Sequence, residues 1–235
     1  MAENDTLTNH TVYKKTAGAT LSKRVPFAVS ESYKSLRTNL LSIMSKSGRK
    51  TVLITSPNAS EGKSTTSINI AISLSQLNKK ILLIDSDAHR PSIHSKLKLQ
   101  NNSGLMDIIT GAAGIDESVN AYNTSLDVLT IGNIPYNPSE LLCSPAFEYL
   151  LDKLEEKYDF VILDAPPVNI LSDSLVMAQK CAGMILIIRA GSTTHESLRR
   201  ALSSAKVLDI NILGVVLNGS HLDSKSYYKK YYSSY

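Results

Sequence analysis

Tryptophan is absent from the 235-residue chain, phenylalanine occurs three times and cysteine twice. No apolar run reaches the ~18 residues of a membrane-spanning helix, because the longest stretches are broken by Asp164, Asp173, Lys180 and Arg189. The opening MAENDTLTNHTVYKK has no apolar signal-peptide core, so the expectation is a cytoplasmic protein. Cys143 and Cys181 are far apart and lack metal-ligand spacing, which excludes a disulfide framework and reads as two buried free thiols. A net charge of +4 is mildly basic, and acidic residues spread along the chain deny it the basic face that nucleic-acid binding requires. With 43% hydrophobic and 20% charged residues, the length suits one α/β-sized domain.

What the chain does have is a series of short apolar runs: TVLITS, KILLID, DVLTIG, FVILDAP, GMILIIRAG and ILGVVLN. They are rich in β-branched residues and separated by segments with helical spacing, which predicts a mostly parallel sheet covered on both faces. Before them, SESYKSLRTNLLSIM places Tyr33, Leu36, Leu40 and Met44 on one stripe, an amphipathic helix with Ser30 as N-cap. The expected division is a flexible segment over 1–28, one domain over 29–218, and a tail over 219–235.

The chemistry concentrates at the ends of those strands. Directly behind TVLIT, the sequence SPNASEGKSTT opens a helical pattern at Gly62-Lys63-Ser64. Strand, loop and helix in that order form a phosphate cradle: backbone N–H groups and a helix N-terminus face phosphate oxygens, a lysine reaches the β and γ phosphates, and a hydroxyl holds magnesium. Ser60, Glu61, Gly62, Lys63, Ser64 and Thr65 are the candidate nucleotide-binding residues. The formal motif has glycine where this chain has Pro57, so the placement carries more weight than the pattern. KILLID ends on Asp85, with Asp87 two residues on, and FVILD ends on Asp164. Carboxylates at the C-terminal rim of a parallel sheet lie where such sheets bind ligands. Beside phosphates they would hold magnesium, with Ser64, Asp85 and Asp164 as the candidate ligands. Asp87 is a candidate general base or an outer magnesium partner. Asn218, ending ILGVVLN, is a candidate adenine contact or a turn former before Gly219.

GKSTT, LLIDSD with its downstream RP, and VILDAPP resemble the Walker A, A′ and B motifs of bacterial tyrosine kinases, the P-loop autokinases of capsule and exopolysaccharide synthesis. The resemblance covers nearly the whole chain from about Ser30 onward. It implies a three-layer P-loop NTPase fold, ATP and magnesium as cofactors, and Lys63, Asp85, Asp87 and Asp164 as the catalytic set. It also implies phosphorylation of a C-terminal tyrosine cluster, here Tyr227, Tyr228, Tyr231, Tyr232 and Tyr235. Glu31, Lys34 and Arg37 match the family's oligomerisation motif, with lysine where arginine is usual, which makes a homo-oligomer, a ring in the family, the expected assembly. Further implied are a transmembrane adaptor that recruits the chain to the inner face of the plasma membrane and a cognate tyrosine phosphatase. Two departures stand out: Ser60 replaces a glycine frequent in the loop, and His89 follows the A′ aspartates where arginine is common. Partition and division-site ATPases share the rim aspartates and form the alternative, a nucleotide-switched binding module. Their second loop lysine is absent, the corresponding position being Asn58.

The closing SKSYYKKYYSSY holds five of the eleven tyrosines and no aliphatic residue. A packed terminal helix, a stacking platform and a set of phosphate acceptors are all open to such a segment. The resemblance favours the acceptors.

Overall fold

The computed structural model describes residue 21 and residues 25–220; the tail tyrosines and the first twenty residues lie outside it. Its centre is a seven-stranded sheet of β1 (Thr51–Thr55), β2 (Ile81–Asp85), β3 (Val119–Ala121), β4 (Leu126–Leu129), β5 (Phe160–Asp164), β6 (Met184–Arg189) and β7 (Ile212–Asn218). The order across the sheet is β3-β4-β2-β5-β1-β6-β7. Every neighbouring pair is parallel except β3–β4. All six apolar runs are strands. The one strand without a sequence signal is β3, three residues long and half-exposed, too short to register as an apolar run.

Both faces of the sheet are covered, and the strands alternate between two cores. Leu53, Leu82, Ile84, Val161 and Leu163 point into one, packed beneath α7 (Pro145–Lys157) and α9 (His195–Val207). Val52, Ile54, Ile81, Leu83 and Ile162 point into the other, beneath α2 (Lys63–Ser75). This double burial is why β1, β2 and β5 consist of continuous apolar residues. The helix α2 is buried almost all round, because α1 (Phe27–Met44) lies over its outer side and adds Leu40 and Met44 to the core. Ser30 is not the N-cap of α1: the helix begins three residues earlier, behind Pro26, whose φ of −54° already suits a helix entrance. Short helices α3 (Ile93–Leu97), α4 (Leu105–Ile109), α5 (Ile115–Ser118), α6 (Pro138–Leu142) and α8 (Asp173–Ala178) fill the connections. Cys143 ends α6 as its exposed C-cap, which corrects the expectation that both thiols are buried. Among the described residues, no helix is long and apolar enough to cross a membrane.

Candidate active site

The site grows from the C-terminal ends of β1, β2 and β5. After Thr55 the chain turns through residues 56–62 and enters α2 at Lys63. Two residues on that turn adopt left-handed backbone, Ser60 at φ 64° and Gly62 at φ 101°. At Gly62 glycine is required twice over. Its φ disfavours any side chain, and a Cβ there would lie 2.1 Å from the Asn218 Nδ2. At Ser60 the loop takes the conformation a glycine would hold freely, so this departure from the family pattern alters the cost of the turn and leaves its shape intact.

Asp85 and Asp164 are register partners on the adjacent strands β2 and β5, and both are fully buried. Their environments differ. Oδ2 of Asp85 accepts the backbone N–H groups of Ser92 and Ile93, each at 2.9 Å, and Oδ1 accepts that of Asp87 at 3.3 Å. One Asp164 oxygen accepts from the Ser67 hydroxyl at 3.1 Å, whereas Oδ2 has no hydrogen-bond partner. Burial, reinforced by the neighbouring Asp164 charge, pushes the Asp85 carboxyl up to about 7. Burial also raises Asp164, against the opposing pull of the Lys63 ammonium and the Ser64 and Ser67 hydroxyls. Burial pulls Lys63 itself down, yet Asp164, Asp87 and Asp85 outweigh it and hold the ammonium above its usual range.

Lys63 Nζ is ion-paired with Asp87 Oδ2 at 2.7 Å. The other Asp87 oxygen, Oδ1, accepts the backbone N–H groups of His89 at 3.2 Å and Arg90 at 2.9 Å. One oxygen is thus fixed by the turn and the other is held only by the lysine. His89 Nε2 stands 3.3 Å from Asp173 Oδ2, to which the Ser139 hydroxyl also donates at 3.0 Å. This joins the turn after β2 to the start of α8 and to α6.

The loop is braced on its far side as well. The buried Glu61 carboxylate accepts from the Asn58 backbone N–H at 2.9 Å, from Asn58 Nδ2 at 3.1 Å and from the Thr193 hydroxyl. Arg189 Nη1 donates to the Ser60 carbonyl at 3.1 Å, and Asn218 Nδ2 donates to the Glu61 carbonyl at 2.9 Å. The amide that sequence reading directed at adenine therefore rests on the phosphate loop. Arg189, Thr193 and Asp173 escaped sequence reading, since their partners lie far away along the chain.

A nucleoside triphosphate with a divalent cation fits these residues. The loop ends in a glycine without room for a Cβ, a thirteen-residue helix opens behind it, and a buried carboxylate oxygen aims at nothing. Among the described residues no three His, Cys, Asp or Glu side chains form a metal cage. Of the three residues expected to serve oligomerisation, Lys34 pairs with Glu31 at 2.7 Å, while Arg37 turns inward to the Ser73 carbonyl at 2.6 Å.

A strand, a phosphate-type loop and a buried helix, faced by register-paired rim aspartates, define a P-loop nucleotide-binding α/β protein. The sequence matches the family described as AAA domain over residues 49–194. It is 36% identical to the tyrosine-protein kinase YwqD of Bacillus subtilis over 203 residues, 86% of either chain. It is 33% identical to the tyrosine-protein kinase CpsD of Streptococcus pneumoniae over 199 residues, 84% of this chain and 87% of that one. The solved kinase domain of the Escherichia coli tyrosine kinase ETK superposes with a TM-score of 0.78 at 28% identity, covering 86% of this chain and 84% of that one. The chain belongs to the bacterial tyrosine kinase family. A plasmid partition protein from Borrelia burgdorferi, at 23% identity and a TM-score of 0.54, shares the fold alone.

Proposed function

We propose that the protein transfers the γ-phosphoryl group of ATP to tyrosines of its own C-terminal cluster, Tyr227, Tyr228, Tyr231, Tyr232 and Tyr235, and thereby regulates capsular or exopolysaccharide synthesis. The observation that carries the reading is the Lys63–Asp87 pair, set between the phosphate loop and the rim aspartates. Phosphoryl transfer requires alignment and cancellation of phosphate charge more than covalent help from the protein. Residues 60–65 would hold the phosphates, and Ser64 with Asp164 and Asp85 would hold magnesium, which would supply positive charge to the phosphates.

The chain's own residues do the rest. Lys63 exchanges its bond with Asp87 for phosphate oxygens. Asp87, still fixed through Oδ1 by His89 and Arg90, then presents a free Oδ2 to the acceptor. The tyrosine oxygen forms a bond to the γ phosphorus as the bond to the leaving ADP oxygen breaks, and its proton passes to Asp87. A phenol with a pKa near 10 needs such an acceptor at neutral pH. The lysine pairing makes Asp87 available only once nucleotide is in place.

The proposal extends to an oligomer built through α1, a membrane-embedded adaptor as activator that recruits the chain to the inner face of the plasma membrane, and a phosphatase that resets the tail. It is supported by the motifs shared with the family. The direct test is to incubate the purified chain with magnesium and ATP and map phosphate by mass spectrometry. Phosphate is expected on Tyr227 to Tyr235 and is expected to vanish in Lys63→Met. Hydrolysis of ATP with an unmodified tail would instead establish a nucleotide-switched binding module.

A further inference from the structure

Arg189 and Asn218 end neighbouring strands and face each other in register, Arg189 on β6 and Asn218 on β7. Each donates to one of two successive carbonyls of the phosphate loop: Arg189 to that of Ser60 and Asn218 to that of Glu61. In a trans peptide the C=O and the N–H point in opposite directions, and the chain has no cis peptide among the described residues. Fixing the Ser60 carbonyl therefore fixes the N–H of Glu61, and fixing the Glu61 carbonyl fixes the N–H of Gly62. Both N–H groups are turned away from the β6–β7 edge. The Glu61 side chain is anchored separately through Asn58 and Thr193, and the two donors restrain the peptide planes on either side of Glu61.

We propose that Asn218, together with Arg189, is a positioning residue that orients loop N–H groups toward the triphosphate, and that it does not read the base. The inference rests on the kinase reading only for the identity of the bound nucleotide. Its prediction is specific: loss of the Asn218 amide weakens every ligand carrying the triphosphate, whatever its base. A base contact would weaken ATP alone.

The test measures dissociation constants of the full chain for ATP, GTP and inorganic tripolyphosphate, each with magnesium, in wild type, Asn218→Ala and Asn218→Asp. Loss of one neutral hydrogen bond predicts a weakening of about three- to tenfold, equal for the three ligands in Asn218→Ala. Asn218→Asp, nearly isosteric but with an oxygen facing the Glu61 carbonyl, is expected to weaken all three at least as much. It keeps the test valid if the alanine variant unfolds. A second readout is the Gly62 amide resonance, whose displacement by tripolyphosphate should shrink in both variants.

A loss confined to ATP overturns the proposal and makes Asn218 a base reader. Unchanged affinities for all three ligands overturn it too. If wild type binds all three ligands yet transfers no phosphate to tyrosine, the kinase reading falls and the orienting role stands. If wild type binds none of them, both fall.

Discussion

At the scale of single residues, three aspartates with one side chain in common occupy three different chemical states. Asp164 carries the unpartnered oxygen, Asp87 the oxygen held only by lysine, and Asp85 the carboxyl closed by backbone donors and raised to about 7. The proton on Asp85 has a thermodynamic consequence. In the unfolded chain an aspartate loses its proton near pH 3.9, whereas folded Asp85 keeps it up to about pH 7. The stability it contributes is therefore complete below the unfolded value and is lost as pH rises through the folded one. Chemical denaturation without magnesium or nucleotide should show wild type losing stability relative to Asp85→Asn between about pH 4 and pH 7; parallel curves would refute this. Asp87→Asn should abolish tyrosine phosphorylation while calorimetry still detects ATP binding, and a joint loss of both would assign Asp87 to the metal. Ser60 supplies a prediction of the opposite sign. It sits at φ 64°, where a non-glycine residue costs roughly 1–2 kcal/mol and glycine offsets part of its own gain through chain entropy. Ser60→Gly should raise stability by about 0.5–1 kcal/mol, measured as a shift in denaturation midpoint.

At the scale of elements, two adjacent threonines separate stability from function. Thr194 is the N-cap of α9 and accepts the Ser197 N–H at 3.1 Å. Thr193 instead spans from the Arg189 N–H at 2.8 Å to the Glu61 carboxylate. Thr194→Ala should cost about 1 kcal/mol of stability and leave ATP affinity unchanged; Thr193→Val should weaken ATP several-fold. Equal nucleotide affinities in the two variants would count against the brace. The same contrast marks what could be read in advance. Strands β1, β2 and β5 were legible because burial on both faces demands unbroken apolar runs, and Asp85 and Asp164 were legible because they end such runs. The phosphate loop was legible by position despite Pro57 and Ser60. The strand β3 was not, because three half-exposed residues carry no periodicity. Nor were Arg189 and Thr193, whose partners on the loop are 129 and 132 residues distant. Only the fold brings those together. Cys143 was misjudged for a related reason: its exposure is decided by the turn between α6 and α7, which its composition does not announce.

At the scale of the molecule, parallel pairing sends the end of β7 to the same rim as the ends of β1, β2 and β5. The last described residues, Gly219 and Ser220, therefore leave the sheet on the side where transfer would take place; the tyrosine segment itself lies outside the described residues. Charge then suggests how the reaction limits itself. Lys225, Lys229 and Lys230 make the stretch from residue 224 onward cationic. Five phosphotyrosines would add about −7.5 to −10, reversing its sign. A tail docked on a neighbouring subunit would be expelled, and an assembly that depends on such docking would loosen. We therefore expect the unphosphorylated chain to sediment as the larger species and the fully phosphorylated chain as the smaller, with added salt narrowing the difference because exposed charges are screened. The control is Lys63→Met, which should remain in the larger species after incubation with ATP. Identical sedimentation of the two phosphorylation states would separate the charge of the tail from the assembly, and autophosphorylation would then act through what the tail binds elsewhere.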